Sequence, residues 1–272
     1  MNKTKNSLVT LAECSVMVAL ATVLSMLKLF ELPYGGSITP ASMLPVALVA
    51  YRHGAKYGFG TAIVASVIQM LLGLKNFSYF STVESFIALG LFDYILAFGV
   101  FGLAGLLRRR IKEQNLAFTL GVLITSVLRY VCHVISGATV WAGLSIPTEA
   151  ALIYSLGYNA TYMVPECIIM TLTAAYVSSS LDLATRIPTR KKTEKLDTVS
   201  AYLYLGAGLA MLVGLVIDTV LVFSKLQDAE TGDFVFTNIT TVDLPALLIT
   251  TLVALAVSAA LVFFARYRSK KA

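Results

Sequence analysis

A succession of long apolar stretches, each cut from the next by a short polar or basic break, decides what this chain can fold into. The stretches fall near residues 8–29, 41–51, 56–74, 85–107, 116–138, 151–181, 199–223 and 243–265. A helix rises about 1.5 Å per residue, so about 20 apolar residues cross a hydrocarbon core of about 30 Å. Only the second stretch is too short to cross alone. It is tilted, broken, or continued by the Gly-Ser-Ile-Thr-Pro run before it, because irregular backbone survives at membrane depth only under a cover of protein or around a cavity. Residues 33–45 are therefore a candidate gate or site wall.

Composition agrees with lipid as the solvent. The chain is 57% hydrophobic and 13% charged, against about 25% charged in a soluble domain. The net charge of +6 does not point to nucleic acid, since the basic residues sit in short clusters beside apolar segments. They act as topology markers. Lys3 and Lys5, Arg52 and Lys56, Arg108 to Lys112, Arg186 to Lys195, and Arg266 to Lys271 recur at alternate span ends, which predicts about eight spans and both termini in the cytoplasm. The first apolar run is long enough to span and lacks a small-residue cleavage site, so it reads as a retained helix. The expected fold is an all-α integral membrane protein. Its most polar break, from Arg186 to Asp197, separates a six-span domain (1–182), through a basic cytoplasmic linker (183–198), from a two-span C-terminal appendix (199–272).

Ionisable side chains inside a bilayer are costly, so each is a candidate for function. Asp93, in Phe-Asp-Tyr-Ile-Leu-Ala-Phe, offers a carboxylate to a cationic or amine-bearing ligand; the plainer alternative is an interfacial acid facing water. Tyr130, His133, Gly137 and Trp141 recur at spacings of three, four and four, one helical stripe if the helix runs that far. The stripe offers a phenol, an imidazole, a gap for a ligand and the chain's one tryptophan. Each also has a structural reading: interfacial anchor for Trp141, hydrogen-bonded core residue for His133, helix packing for Gly137. Ser155 and Asn159, one turn apart behind Tyr154, can donate and accept toward a heteroaromatic ring, or merely bridge helices. Glu166, after Pro165, is placed to pair with Arg129. Asp218 is the single candidate buried acid of the appendix, and its place near a helix end favours solvation.

Catalysis finds no support. Two histidines cannot assemble a multi-histidine metal site, no Gly-x-Ser-x-Gly elbow or phosphate loop is visible, and no cofactor is implied. Cys14, Cys132 and Cys167 show no metal-like pairing and read as small core residues.

The pattern Arg129-Tyr130-x-x-His133-x-x-x-Gly137-x-x-x-Trp141, followed by Tyr154-Ser155-x-x-x-Asn159, resembles the thiamine-specific S component of energy-coupling factor (ECF) transporters, over roughly 8–182. Asp93-Tyr94 and the Arg52-His-Gly-Ala-Lys-Tyr-Gly turn look similar too. The resemblance implies a six-span, non-catalytic subunit that captures thiamine at high affinity. Its partners would be a transmembrane coupling subunit and two ATP-hydrolysing subunits. It also implies a pocket near the outer face lined by Asp93, Tyr130, His133, Trp141, Tyr154, Ser155 and Asn159, with Tyr34 in the place of the family's first-loop tryptophan. Ser15, Ala19 and Val23 resemble the family's small-residue stripe for docking the coupling subunit. The family carries Glu where Asp93 stands, the Gly73–Asp93 stretch is longer here, and residues 199–272 lie outside the six-span pattern. The competing readings are an S component for another vitamin or a thiamine precursor, and a proton-coupled carrier with Asp93, His133 and Glu166 as its relay. The second lacks a convincing internal repeat.

Overall fold

The computed structural model describes residues 3–32, 35–185, 187–191, 198–226 and 235–269. Among these, seven helices are long and apolar enough to cross a membrane, so the chain is a multi-pass, all-α membrane protein. It forms two compact units, Met1–Lys191 and Lys192–Ala272. Tyr34 and Arg186 lie outside the described residues.

The first unit opens with α1 (Lys3–Met26), which leads into a short hairpin of β1 (Phe30–Glu31) and β2 (Ser37–Ile38). The second apolar stretch becomes α2 (Leu44–His53), ten residues long, so it covers only about half a bilayer. Extended residues 37–39 and Pro45 in the first turn set its start. The short helix is tolerated because it is sheathed in protein: Val46, Ala47, Val49 and Ala50 are wholly buried. Its last carbonyls, on Tyr51 and Arg52, accept hydrogen bonds from Arg108, and Arg52 itself donates to Glu13 of α1 at 2.6 Å.

Next come α3 (Ala55–Leu72), a 3-10 segment Leu74–Tyr79, and a span over Val83–Arg109 that is not a uniform helix. It starts as α4 (Val83–Leu89), with Thr82 as N-cap, and widens to π geometry over Gly90–Leu96. It then passes through α5 (Ala97–Gly99) and tightens to 3-10 turns at Val100–Leu103 and Leu106–Arg109. Helices α6 (Gln114–Thr139) and α7 (Glu149–Ser180) pack as an antiparallel pair, and β3 (Leu181–Asp182) pairs with β4 (Thr189–Arg190). Backbones meet closely at Gly105 and Gly121, where an added Cβ would strike the carbonyls of Ala50 and Ala104. Pro165 cannot bond back to the Thr161 carbonyl, a break in α7 beside Glu166.

The second unit is a hairpin of α8 (Thr198–Leu226) and α9 (Leu244–Ser269). A Cβ at Gly214 would meet that of Ala254, so the helices touch through small residues. Asp218 is not left to solvent as its place near a helix end suggested: it accepts hydrogen bonds from the hydroxyls of Thr250 and Thr251.

Candidate functional site

A cavity of about 570 Å³ opens at the hairpin end of the first unit, within the ~300–1,000 Å³ usual for small-molecule sites. Its walls come from the β1–β2 hairpin, the end of α3, the π segment, α6 and α7. Asp93, His133, Gly137, Trp141, Tyr154, Ser155 and Asn159, all singled out from sequence, line it.

Asp93 is 9% exposed and is the hub of the site, not an interfacial acid facing water. Its Oδ2 accepts from Trp141 Nε1 at 2.8 Å and its Oδ1 lies 3.0 Å from His133 Nδ1. A carboxylate only accepts, which places a proton on Nδ1; in the neutral imidazole Nε2 is then an acceptor. That Nε2 is buried and unpartnered among the described residues. A π turn carries one more residue per turn than an α turn, and such bulges cluster at functional sites; here it sets Asp93 against two elements of the opposite wall.

The helical stripe holds only in part. α6 ends at Thr139, so Trp141 lies beyond it, delivered by a wider closing turn in which its N–H reaches the Ser136 carbonyl. Tyr130 is not among the lining residues. Its hydroxyl donates to the Leu156 carbonyl on α7 at 3.0 Å, and Arg129 takes the place on the lining face one turn before His133. The gap at Gly137 is already filled, because an added Cβ would meet Ser155 Oγ. Ser155 donates to the Val134 carbonyl at 2.8 Å, while Asn159 bonds the carbonyls of Ser155 and His133 and accepts from Tyr162. Both residues therefore bridge α6 and α7 as well as lining the cavity.

Beneath this layer, Arg129 pairs with Glu166 at 2.8 Å and its guanidinium stands 4.5 Å over the Phe98 ring. Glu166 also accepts from Thr39, just after the hairpin, at 2.6 Å. At the mouth, Glu31 receives Lys28 at 2.6 Å and Lys75 at 3.2 Å. The Lys28 bond in particular holds its carboxyl below the usual value of 4.5. Gly35 has φ of 97°, a conformation that strains any other residue, and lies against the Asn76 amide, and the Gly36 N–H bonds Tyr158 Oη at 3.3 Å.

Tyr158, Tyr162 and Tyr94 also line the cavity and were not singled out from sequence. For the first two the signal was present, since Tyr154, Tyr158 and Tyr162 recur every four residues along α7.

A cavity set among membrane helices, bordered by a hairpin and built from aromatic rings around a buried carboxylate, Asp93, defines a solute-binding membrane protein. Among the described residues no group of three or more His, Cys, Asp or Glu could hold a metal ion. The chain belongs to the thiamine transporter protein (Thia_YuaJ) family, whose model matches residues 11–184. It is similar to the thiamine transporter ThiT of Bacillus subtilis (strain 168), with 35% identity over 183 residues, covering 63% of this chain and 91% of that protein. No solved structure matches. The family is one of transporters, so the chain is a transport protein and not an enzyme. α8 and α9 lie beyond the matched residues.

Proposed function

We propose that the chain is the high-affinity thiamine-binding subunit of an ATP-driven ECF uptake transporter. The observation that carries this reading is Asp93, held between His133 and Trp141 in the cavity wall of a thiamine-transporter family member. Thiamine joins a permanently charged thiazolium to an aminopyrimidine. The cation suits the faces of Trp141 and Tyr154, each worth about 0.5–2 kcal/mol. The aminopyrimidine presents an amine and ring nitrogens to Asp93, His133 Nε2 and Asn159. A donor reaching Nε2 would relieve a buried acceptor that otherwise costs about 1–3 kcal/mol.

In this reading residues 1–182 capture the vitamin, 183–198 are a cytoplasmic linker, and 199–272 are an added two-helix appendix, with both termini in the cytoplasm. The coupling subunit docks on α1, where Ser15, Ala19 and Val23 share an exposed face. Titrating thiamine into the purified full chain while following Trp141 fluorescence tests the reading. Saturable quenching at submicromolar ligand is expected; no quenching and no heat of binding would remove thiamine as the ligand.

A further inference from the structure

Trp141 has a positioning problem that its own helix does not solve. It lies two residues past the end of α6, and residues 142–150 beyond it are all exposed. A ring at the root of an exposed loop keeps many rotamers unless something outside its own backbone restrains it. The Asp93 hydrogen bond fixes one atom, Nε1. The ring plane is fixed elsewhere: Phe80 meets Trp141 edge-on at 5.0 Å and 72°, and Tyr79 lies at 5.7 Å and 47°. Edge-to-face geometry at such separations is the favoured aromatic arrangement. Neither Phe80 nor Tyr79 lines the cavity, although Trp141 does.

The segment carrying these rings is itself anchored. Phe77 stacks on Phe86 at 5.7 Å and on Tyr94 at 5.9 Å, and Asn76 donates to Tyr94 Oη at 3.0 Å. Tyr94 spends its own hydroxyl proton on the Gly73 carbonyl. Phe80 then packs half-buried against the core, and Thr82 caps the helix that follows.

We propose that Phe80, supported by Tyr79, is a positioning residue for ligand binding: from outside the cavity it holds the Trp141 ring where a cationic heteroaromatic ligand stacks. The inference rests on the reading of Trp141 as the stacking face. It assigns a function to the connection between α3 and α4.

Trp141 is the chain's single tryptophan, so emission of the full-length protein reports on this ring alone. Phe80→Ala should red-shift that emission and raise its quenching by acrylamide, with Phe80→Leu intermediate and Phe80→Tyr like wild type. In thiamine titrations Phe80→Ala should weaken binding about three- to ten-fold, the scale of one aromatic pair. In a Trp141→Ala background the same change should cost nothing further. Unaltered emission in Phe80→Ala would overturn the proposal, as would an equal loss of affinity in both backgrounds, which marks a general packing defect. Should wild type fail to bind thiamine, the thiamine reading falls, and emission and quenching still decide whether Phe80 holds Trp141.

Discussion

Replacing Asp93 with Asn tests the centre of the site with the smallest change in shape. The carboxylate accepts two N–H donors, Trp141 Nε1 at 2.8 Å and His133 Nδ1 at 3.0 Å, from opposite ends of one residue. An amide has one acceptor and one donor end, so it cannot satisfy both. With its oxygen toward Trp141, its NH₂ faces Nδ1, and His133 must move its proton to Nε2. That move converts the buried acceptor offered to ligand into a donor. The variant thus loses the charge that faces a cationic ligand and inverts the hydrogen-bonding sense of His133. A hydrogen bond to a charged group is worth about 1.5–3 kcal/mol, which predicts a loss in thiamine affinity of about 10- to 150-fold. Asp93→Glu keeps the charge and both acceptors, and the cavity of about 570 Å³ leaves room for one methylene; its affinity should stay within a few-fold of wild type. Isothermal calorimetry on the purified proteins measures both. Equal affinities for wild type and Asp93→Asn would refute the reasoning, because neither the charge nor the pairing with His133 and Trp141 would then matter to the ligand.

Trp141→Ala should weaken thiamine binding much more than Trp141→Phe, since alanine removes the stacking face and phenylalanine keeps part of it; unchanged affinity in both, by calorimetry, would make Trp141 an interfacial anchor. Glu166→Ala strands the buried Arg129 and should cost about 3–5 kcal/mol, read as a lower thermal midpoint in detergent. The Glu31 carboxyl is held below 4.5 by Lys28 and Lys75. Its stabilisation of the hairpin should therefore be full above that pH and fade as pH falls through the lowered value; protease sensitivity near residues 28–38 that is flat from pH 6 to 3 would contradict this. Vesicles holding the chain alone should not concentrate thiamine under a proton gradient, and accumulation without ATP would favour the carrier reading.

The sequence made most of this architecture legible because lipid leaves the chain few options. Seven of the eight apolar stretches are helices of spanning length, and the one judged too short is the ten-residue α2. The Arg129–Glu166 pair was readable because an uncompensated charge at that depth would be prohibitive. Misreadings arose where regular α periodicity fails. Projection at 100° per residue kept Trp141 on the α6 stripe, yet α6 ends at Thr139; Tyr130, by contrast, sits within regular α6, where the lining face runs through Arg129, four residues before His133, and Tyr130 turns to the Leu156 carbonyl. The π turn that carries Asp93 leaves no mark in a hydropathy pattern. Phe80 was invisible for a related reason: a 3-10 connection has no repeating face to read, and its partner is about sixty positions away in the chain.

The polar groups of the cavity are mostly engaged with one another, and this bears on how a ligand is chosen. Ser155 and Asn159 hold α6 against α7, Asp93 holds His133 and Trp141, and Glu31 holds two lysines at the mouth. Binding that broke these bonds would gain little, because each new contact would replace an old one. The groups with most to gain are those that stay unmet in a buried setting. Among the described residues, His133 Nε2 lacks a donor and Asn76 Oδ1, beside Gly35 of the hairpin, has no partner. A carboxylate keeps acceptor capacity after taking two N–H donors, so Asp93 can receive an amine without releasing Trp141 or His133. Selectivity then falls on ligands that donate toward Asp93 and His133 while presenting a flat cation to Trp141. An aromatic amine without a positive charge would meet the first demand alone, and a quaternary cation without an amine only the second. Their affinities, measured beside that of thiamine, should each fall short by the contribution of the missing half.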